Sequence, residues 1–354
     1  MLIIDKFKLL MQKYFYYIIK MLTGLPLELI EIILNKLIYE DACKVLQLTK
    51  CINNIKCMIE YEQLVNYDSI KHLKYSDNFL NLKYTFDNNG IPDKKNSSKK
   101  INVTHLIIND SINQHLQNVI PNSVTHLIFG HRFNKNIKNT IPNSVTYLKF
   151  GFFFNQKVKG YIPDSVTHLT FGNHFDRNIK DAIPYSVTHL IFGNDFDQDV
   201  KNCLHNSITH LTFGCWFDQD IKDAIPNSVT HLKFGCYFDK DIKGAIPNSV
   251  THLSFGYRFN RDIKGCIPTS VIRLTFGHDF NKSIEDSIPH SVRYLIFGDN
   301  FNQEVEDHIP TSVTHLRFGF SFNKDIPNSV KHITFGNNFN RNIIDTNYIL
   351  NVIN

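Results

Sequence analysis

The string Ser-Val-Thr-His-Leu-x-Phe-Gly, or a close variant of it, returns along this chain with its Ser at Ser123, Ser144, Ser165, Ser186, Ser207, Ser228, Ser249, Ser270, Ser291 and Ser312, every step being 21 residues. A further copy starts at Ser329 after a step of 17, and weaker copies start at Asn102 and at Ser69. Thirteen units therefore run from about residue 69 to 345. A fixed period of this length is the signature of a repeat architecture and decides the fold class before any single element is assigned.

The unit from Ser144 to Pro163 shows what one copy builds. Val145, Leu148, Phe150, Phe154, Val158 and Ile162 are its apolar columns. Leu148-x-Phe150 has the period of two of a short strand with both side chains inward. Twenty-one residues are too few for a helical pair and suit one turn of a coil carrying one strand. Gly151 is expected at the turn ending the strand, where a positive φ or a close backbone approach is needed; tight packing without positive φ is the simpler alternative. Pro163 has no N–H to donate and is expected just before the strand. Six apolar side chains cannot offset the entropy of ordering a lone unit, so the units must stack, each stabilising its neighbours. Thirteen parallel strands at ~4.8 Å make a ladder about 60 Å long.

The composition is this unit counted many times. Of 29 Phe, 23 fall in two columns, against a single Trp. Seven Cys in 354 residues are too few for a disulfide scaffold and form no CxxC pair, which implies a reducing compartment. The net charge of +5 is mild and points to neither nucleic acid nor a membrane surface. No apolar run approaches the ~20 residues of a membrane span. Residues 1–21 read as an amphipathic helix packing on the segment C-terminal to it, with a membrane-surface anchor or a targeting sequence as alternatives. The lysine-rich stretch Lys94–Lys100 reads as part of an exposed loop within an insert at 80–101. Residues 346–354 read as a tail.

Phe133-Asn134…Ile141-Pro142, followed by Ser-Val-x-x-Leu-x-Phe-Gly, resembles the FNIP repeats of social amoebae and of giant viruses that infect amoebae. The resemblance implies a relative of the leucine-rich repeats, here a parallel β solenoid. Residues 22–66 lie outside the repeat. Leu25 to Leu37 reads as an apolar helix with Pro26 in its first turn, Asp41 as the cap of a second helix, and Ile52 to Val65 as a third. From the residues alone this is a helical cap for the solenoid end. Leu25-Pro26-x-Glu28, Ile33-Leu34 and Leu37 also resemble the opening helix of an F-box. That resemblance implies docking on an Skp1-type adaptor and its cullin complex through Leu25, Pro26, Ile30, Ile33, Leu34 and Leu37.

No phosphate loop, hydrolase elbow or paired-carboxylate motif occurs, so no enzyme activity and no cofactor are expected. A column of His precedes the inward Leu and faces outward, but a flat ladder does not converge as zinc requires. Cys215 and Cys236 share a register, yet a reducing compartment favours independent surface thiols over a disulfide. Cys43, Cys51 and Cys57 have no evident paired base. The Asn or Asp after the second Phe alternates between units and reads as a turn residue. The two residues after Gly vary instead, and aromatics with Arg are typical interface anchors. Phe152, Phe153, Trp216, Tyr237 and Arg258 are the expected surface for an unknown protein target. The expected function is therefore a substrate-recruiting F-box adaptor in the cytoplasm (the host's, if viral) or nucleus. The alternative is a repeat scaffold that sequesters a partner without an adaptor.

Overall fold

In the computed structural model the described residues are 61–71, 79–86, 103–112, 115–325, 330, 332–335 and 349–352. The chain forms two compact units, Met1–Ile107 with Ser123–His126, and Ile108–Asn122 with Leu127–Asn354. The expected N-terminal helix at 1–21, the F-box-like positions Leu25 to Leu37 and the loop lysines lie outside the described residues.

In the first unit β1 (Tyr61–Asn66) pairs in parallel with β2 (Phe79–Phe86), and β3 (Val103–Ile108) follows in the sheet order. A single-turn helix, α1 (Tyr67–Ile70), is capped by the Asn66 side chain, which accepts from the Asp68 N–H at 3.1 Å. Three sequence expectations are corrected here. Tyr61–Asn66 is a strand where a helix through Val65 was expected. Ser69 and Ile70 are helical and do not open a repeat strand. Phe79–Phe86 is a strand where the insert was expected to begin, with Leu82, Tyr84 and Phe86 buried at alternate positions. That period of two is a strand signal which does not depend on the 21-residue string.

The larger unit is a parallel solenoid. β4 (His126–Ile128), β5 (Tyr147–Lys149), β6 (His168–Thr170), β7 (His189–Ile191), β8 (His210–Thr212), β9 (His231–Lys233), β10 (His252–Ser254), β11 (Arg273–Thr275), β12 (Tyr294–Ile296), β13 (His315–Arg317) and β14 (His332–Phe335) follow in chain order. Where the pairing is resolved the register is one repeat, with Leu148 opposite Leu169, Leu190 opposite Leu211 and Leu253 opposite Leu274. The six apolar columns are all inside: Val145, Leu148, Phe150, Phe154, Val158 and Ile162 are 0–6% exposed. The short step before Ser329 leaves the register intact, with His332 opposite His315. A further strand, β15 (Ile349–Val352), pairs in parallel with β14, where a tail was expected. Ile349 sits 17 residues after His332, the same short step repeated.

Of the two causes expected for the Gly column, the structure shows the close backbone approach and not the positive φ. None of Gly130, Gly151, Gly172 and their successors to Gly319 has a positive φ. A Cβ on Gly151 would lie 1.8 Å from the Gly130 carbonyl oxygen, because the glycines of successive coils stack backbone on backbone. The left-handed residues form a separate column, Asn118, Asn139, Gly160, Asp181, Asn202, Asp223, Gly244, Gly265 and Asp286, again 21 residues apart. These are the residue types that tolerate that region, so each coil turns a corner there at little cost.

The Asn or Asp after the second Phe does more than turn the chain. Asn155 N–H donates to the Asn134 side chain at 3.0 Å, Asp218 N–H to Asp197 at 2.9 Å, and Asn302 N–H to Asn281 at 2.9 Å. The column is thus an axial ladder in which each side chain accepts from the next coil. The Ser column works in the opposite sense, Ser165 Oγ donating to the Val145 carbonyl of the preceding coil at 2.7 Å, with Ser207 Oγ the exception that has no partner.

Candidate functional site

The coil geometry aligns variable residues as strictly as constant ones. The second residue after each Gly forms the sequence Phe153, His174, Asp195, Trp216, Tyr237, Arg258 along consecutive coils. Its backbone is held by one inter-coil bond per step: His174 N–H to the Phe152 carbonyl at 2.9 Å, Trp216 N–H to Asn194 at 2.8 Å, Tyr237 N–H to Cys215 at 2.8 Å and Arg258 N–H to Cys236 at 2.8 Å.

The side chains stack on that scaffold. Trp216 and Tyr237 lie ring on ring at 4.0 Å and 6°, and the Arg258 guanidinium covers the far face of Tyr237 at 4.4 Å. Phe152 meets Phe153 edge to face at 4.9 Å, and Phe153 stacks on His174 at 5.1 Å. His174 in turn bonds Asp195. Of the five residues expected to bind a target, Phe153, Trp216, Tyr237 and Arg258 belong to one ribbon, and Phe152 packs beside it on Phe153. Phe153 and Trp216 remain 47% and 52% exposed. A ribbon that is held rigid while exposed gives up little side-chain entropy on binding.

Sequence reasoning missed the His174–Asp195 bond at the two column positions between the clusters, and the parallel stack of Tyr257 on His278 at 4.3 Å. The signal for the positions was present: all sit at 21-residue steps from anchors that had been recognised. Beside the ribbon runs a shallow groove of ≈ 620 Å³ with a floor of stacked glycines. Lys149, Thr170 and Lys233 line one wall and Phe152, Cys215 and Cys236 the other.

The outward His column is a stack. His168, His189, His210, His231 and His252 lie face to face with centroids 4.1–4.2 Å apart. Each Nδ1 shares a hydrogen bond with the preceding Thr hydroxyl, as in Thr188 to His189 at 2.9 Å. Among the described residues no group of three or more His, Cys, Asp or Glu could hold a metal ion. Burial first, and then the neighbouring imidazoles, push His189 and His210 below their usual range; for His252 the second cause is Arg273. The fold thus favours neutral imidazole, while the unfolded chain takes up protons from about pH 6.5 downward. Since acid protonates the unfolded state first, stability is fully present above that value and falls as the pH drops below it. Urea titrations at neutral pH and at about pH 5 are expected to show a lower midpoint in acid. Replacing His189, His210 and His231 with Asn should remove much of the difference.

Among the described residues no helix is long and apolar enough to cross a membrane. The model of the FNIP Repeat family matches overlapping windows that together span residues 101–321. Residues 22–66 lie outside that match. The crystal structure of CroV588, described as a novel circular LRR protein, is similar over 78% of this chain, at 41% identity and a TM-score of 0.67. The similarity spans 43% of that chain. No curated protein matches.

Proposed function

The chain belongs to the FNIP repeat family, and on that premise we propose that it is a non-enzymatic scaffold that binds a protein target through the ribbon from Phe153 to Arg258. The observation that carries this reading is the Trp216–Tyr237–Arg258 stack, three anchor-type side chains pre-organised on a repeat solenoid, with Trp216 and Arg258 exposed and Tyr237 half-buried. Anchors of this kind each contribute about 2 kcal/mol or more to an interface. Replacing Trp216, Tyr237 and Arg258 together with Ala is expected to cut target recovery in a pull-down by more than about tenfold, with the fold intact by circular dichroism. Unchanged recovery would show that the target docks elsewhere.

The finer reading is that of an F-box adaptor. In it Leu25, Pro26, Ile30, Ile33, Leu34 and Leu37 dock on an Skp1-type adaptor, and the solenoid presents its target to a cullin-RING ubiquitin ligase. Its support is the resemblance of Leu25-Pro26-x-Glu28 and Ile33-Leu34 to the opening helix of that module, placed before a repeat array. Co-expression with an Skp1-type protein tests it. The wild-type chain should co-purify with the adaptor and the Leu25→Asp, Pro26→Ala variant should not. If neither binds, the sequestering scaffold remains the function.

A further inference from the structure

The cysteines among the described residues divide into two kinds. Cys203 and Cys266 are buried, and their thiols point at carbonyls of their own coils, Lys201 at 3.4 Å and Lys264 at 3.5 Å. Cys215 and Cys236 occupy the same column of adjacent coils and line the groove beside the ribbon. Cys236 is exposed and Cys215 is half-buried. The backbone spacing of adjacent parallel strands, ~4.8 Å, lies inside the 4.4–6.8 Å that a disulfide bridges.

We propose that Cys215 and Cys236 are a reversible dithiol that closes into an inter-coil disulfide, and that this bond regulates the ribbon beside it. The regulatory half rests on the ribbon being the binding surface; the chemistry does not. The oxidant is a low-molecular-weight disulfide such as glutathione disulfide. Cys236 loses its proton and attacks one sulfur, forming a mixed disulfide and releasing one glutathione thiolate. Cys215 then loses its proton to solvent and attacks Cys236 Sγ, releasing the second. Two protein thiols give up two protons and two electrons, and one glutathione disulfide becomes two glutathiones. Burial first, and the neighbouring Cys236 second, push the Cys215 thiol up to about 11, which makes its attack the slow step. Closure acts where the ribbon is anchored. The carbonyls of Cys215 and Cys236 accept the N–H groups of Tyr237 and Arg258, and Trp216 is the next residue after Cys215 in the chain.

The full chain can be incubated with glutathione disulfide at about pH 8.5, near the ordinary thiol pKa, and followed by peptide mapping and by fluorescence of Trp216, the only tryptophan. A transient glutathione adduct at Cys236 is expected first, then a Cys215–Cys236 cross-link with quenching of Trp216, all reversed by dithiothreitol. Cys203 and Cys266 should stay reduced. In the Cys215→Ser variant the adduct at Cys236 should persist without cross-link. Two stable, independent adducts on the wild-type chain, or no reaction at either thiol, would overturn the dithiol. If the cross-link forms and target recovery is the same in both redox states, the regulatory half is overturned. The alanine triple variant reports separately on the ribbon itself.

Discussion

Gly235→Ala is expected to separate the coils on either side of it and to cost at least about 4 kcal/mol, far more than an ordinary point substitution. The added methyl carbon would lie 1.6 Å from the Gly214 carbonyl oxygen and 2.9 Å from the Cys215 Cα. Both are backbone atoms, so no rotamer change relieves the clash. Nor can the strands drift apart locally, since Phe234 N–H is bonded to the Ser254 carbonyl at 2.9 Å and Tyr237 N–H to Cys215 at 2.8 Å. Gly244→Asn is the matched control. Gly244 has φ +67° with nothing within 4 Å of an added Cβ, and Asn139 and Asn202 already hold that column at 56° and 59°. Its expected change is within about 0.5 kcal/mol. Urea denaturation of the two variants checks the account, and similar losses in both would refute backbone stacking as the reason for the first column.

Phe217→Ala is the second large effect, about 3–5 kcal/mol. Phe217 is fully buried, 3.9 Å from Phe213 within its coil and 6.3 and 6.2 Å from Phe196 and Phe238 on either side. Those neighbours are held at the coil spacing by backbone bonds, so they cannot slide into the space and the cavity stays open. Because stability in a solenoid passes from neighbour to neighbour, the defect should also divide the array. Native-state hydrogen exchange should show protection dropping most at the inter-coil amides of Thr209 and Thr230, and recovering toward both ends. A loss below about 1.5 kcal/mol with even protection would show that the Phe stack collapses around the gap.

Much of this was legible in the sequence, and the exceptions share a cause. Leu148, Phe150 and Phe154 were readable as inward because period two and a constant column point the same way. The strand at Phe79–Phe86 and the one at Ile349–Val352 escaped because they do not carry the 21-residue string, although Leu82, Tyr84 and Phe86 alternate plainly. The left-handed column was visible as a position holding only Asn, Asp or Gly from Asn118 to Asp286, yet it was overshadowed by the more conspicuous Gly column. At the ribbon Phe152, Phe153, Trp216 and Arg258 are exposed and Tyr237 is half-buried, while the His174–Asp195 bond, a contact between coils, was not legible in the sequence.

The sequence by itself determined that this protein is a stack of near-identical coils, which side chains face the core, and that variable side chains recur along one line. Those properties follow from local conformation, which equal units must share. Only the tertiary structure decided which of the causes open for the glycines holds, that the Asn and Asp after the second Phe bond the next coil, and that Trp216, Tyr237 and Arg258 form one stack. These are contacts between residues 21 apart, as between Trp216 and Tyr237. They depend on the axial spacing and sideways offset of successive coils, and no single unit carries that distance.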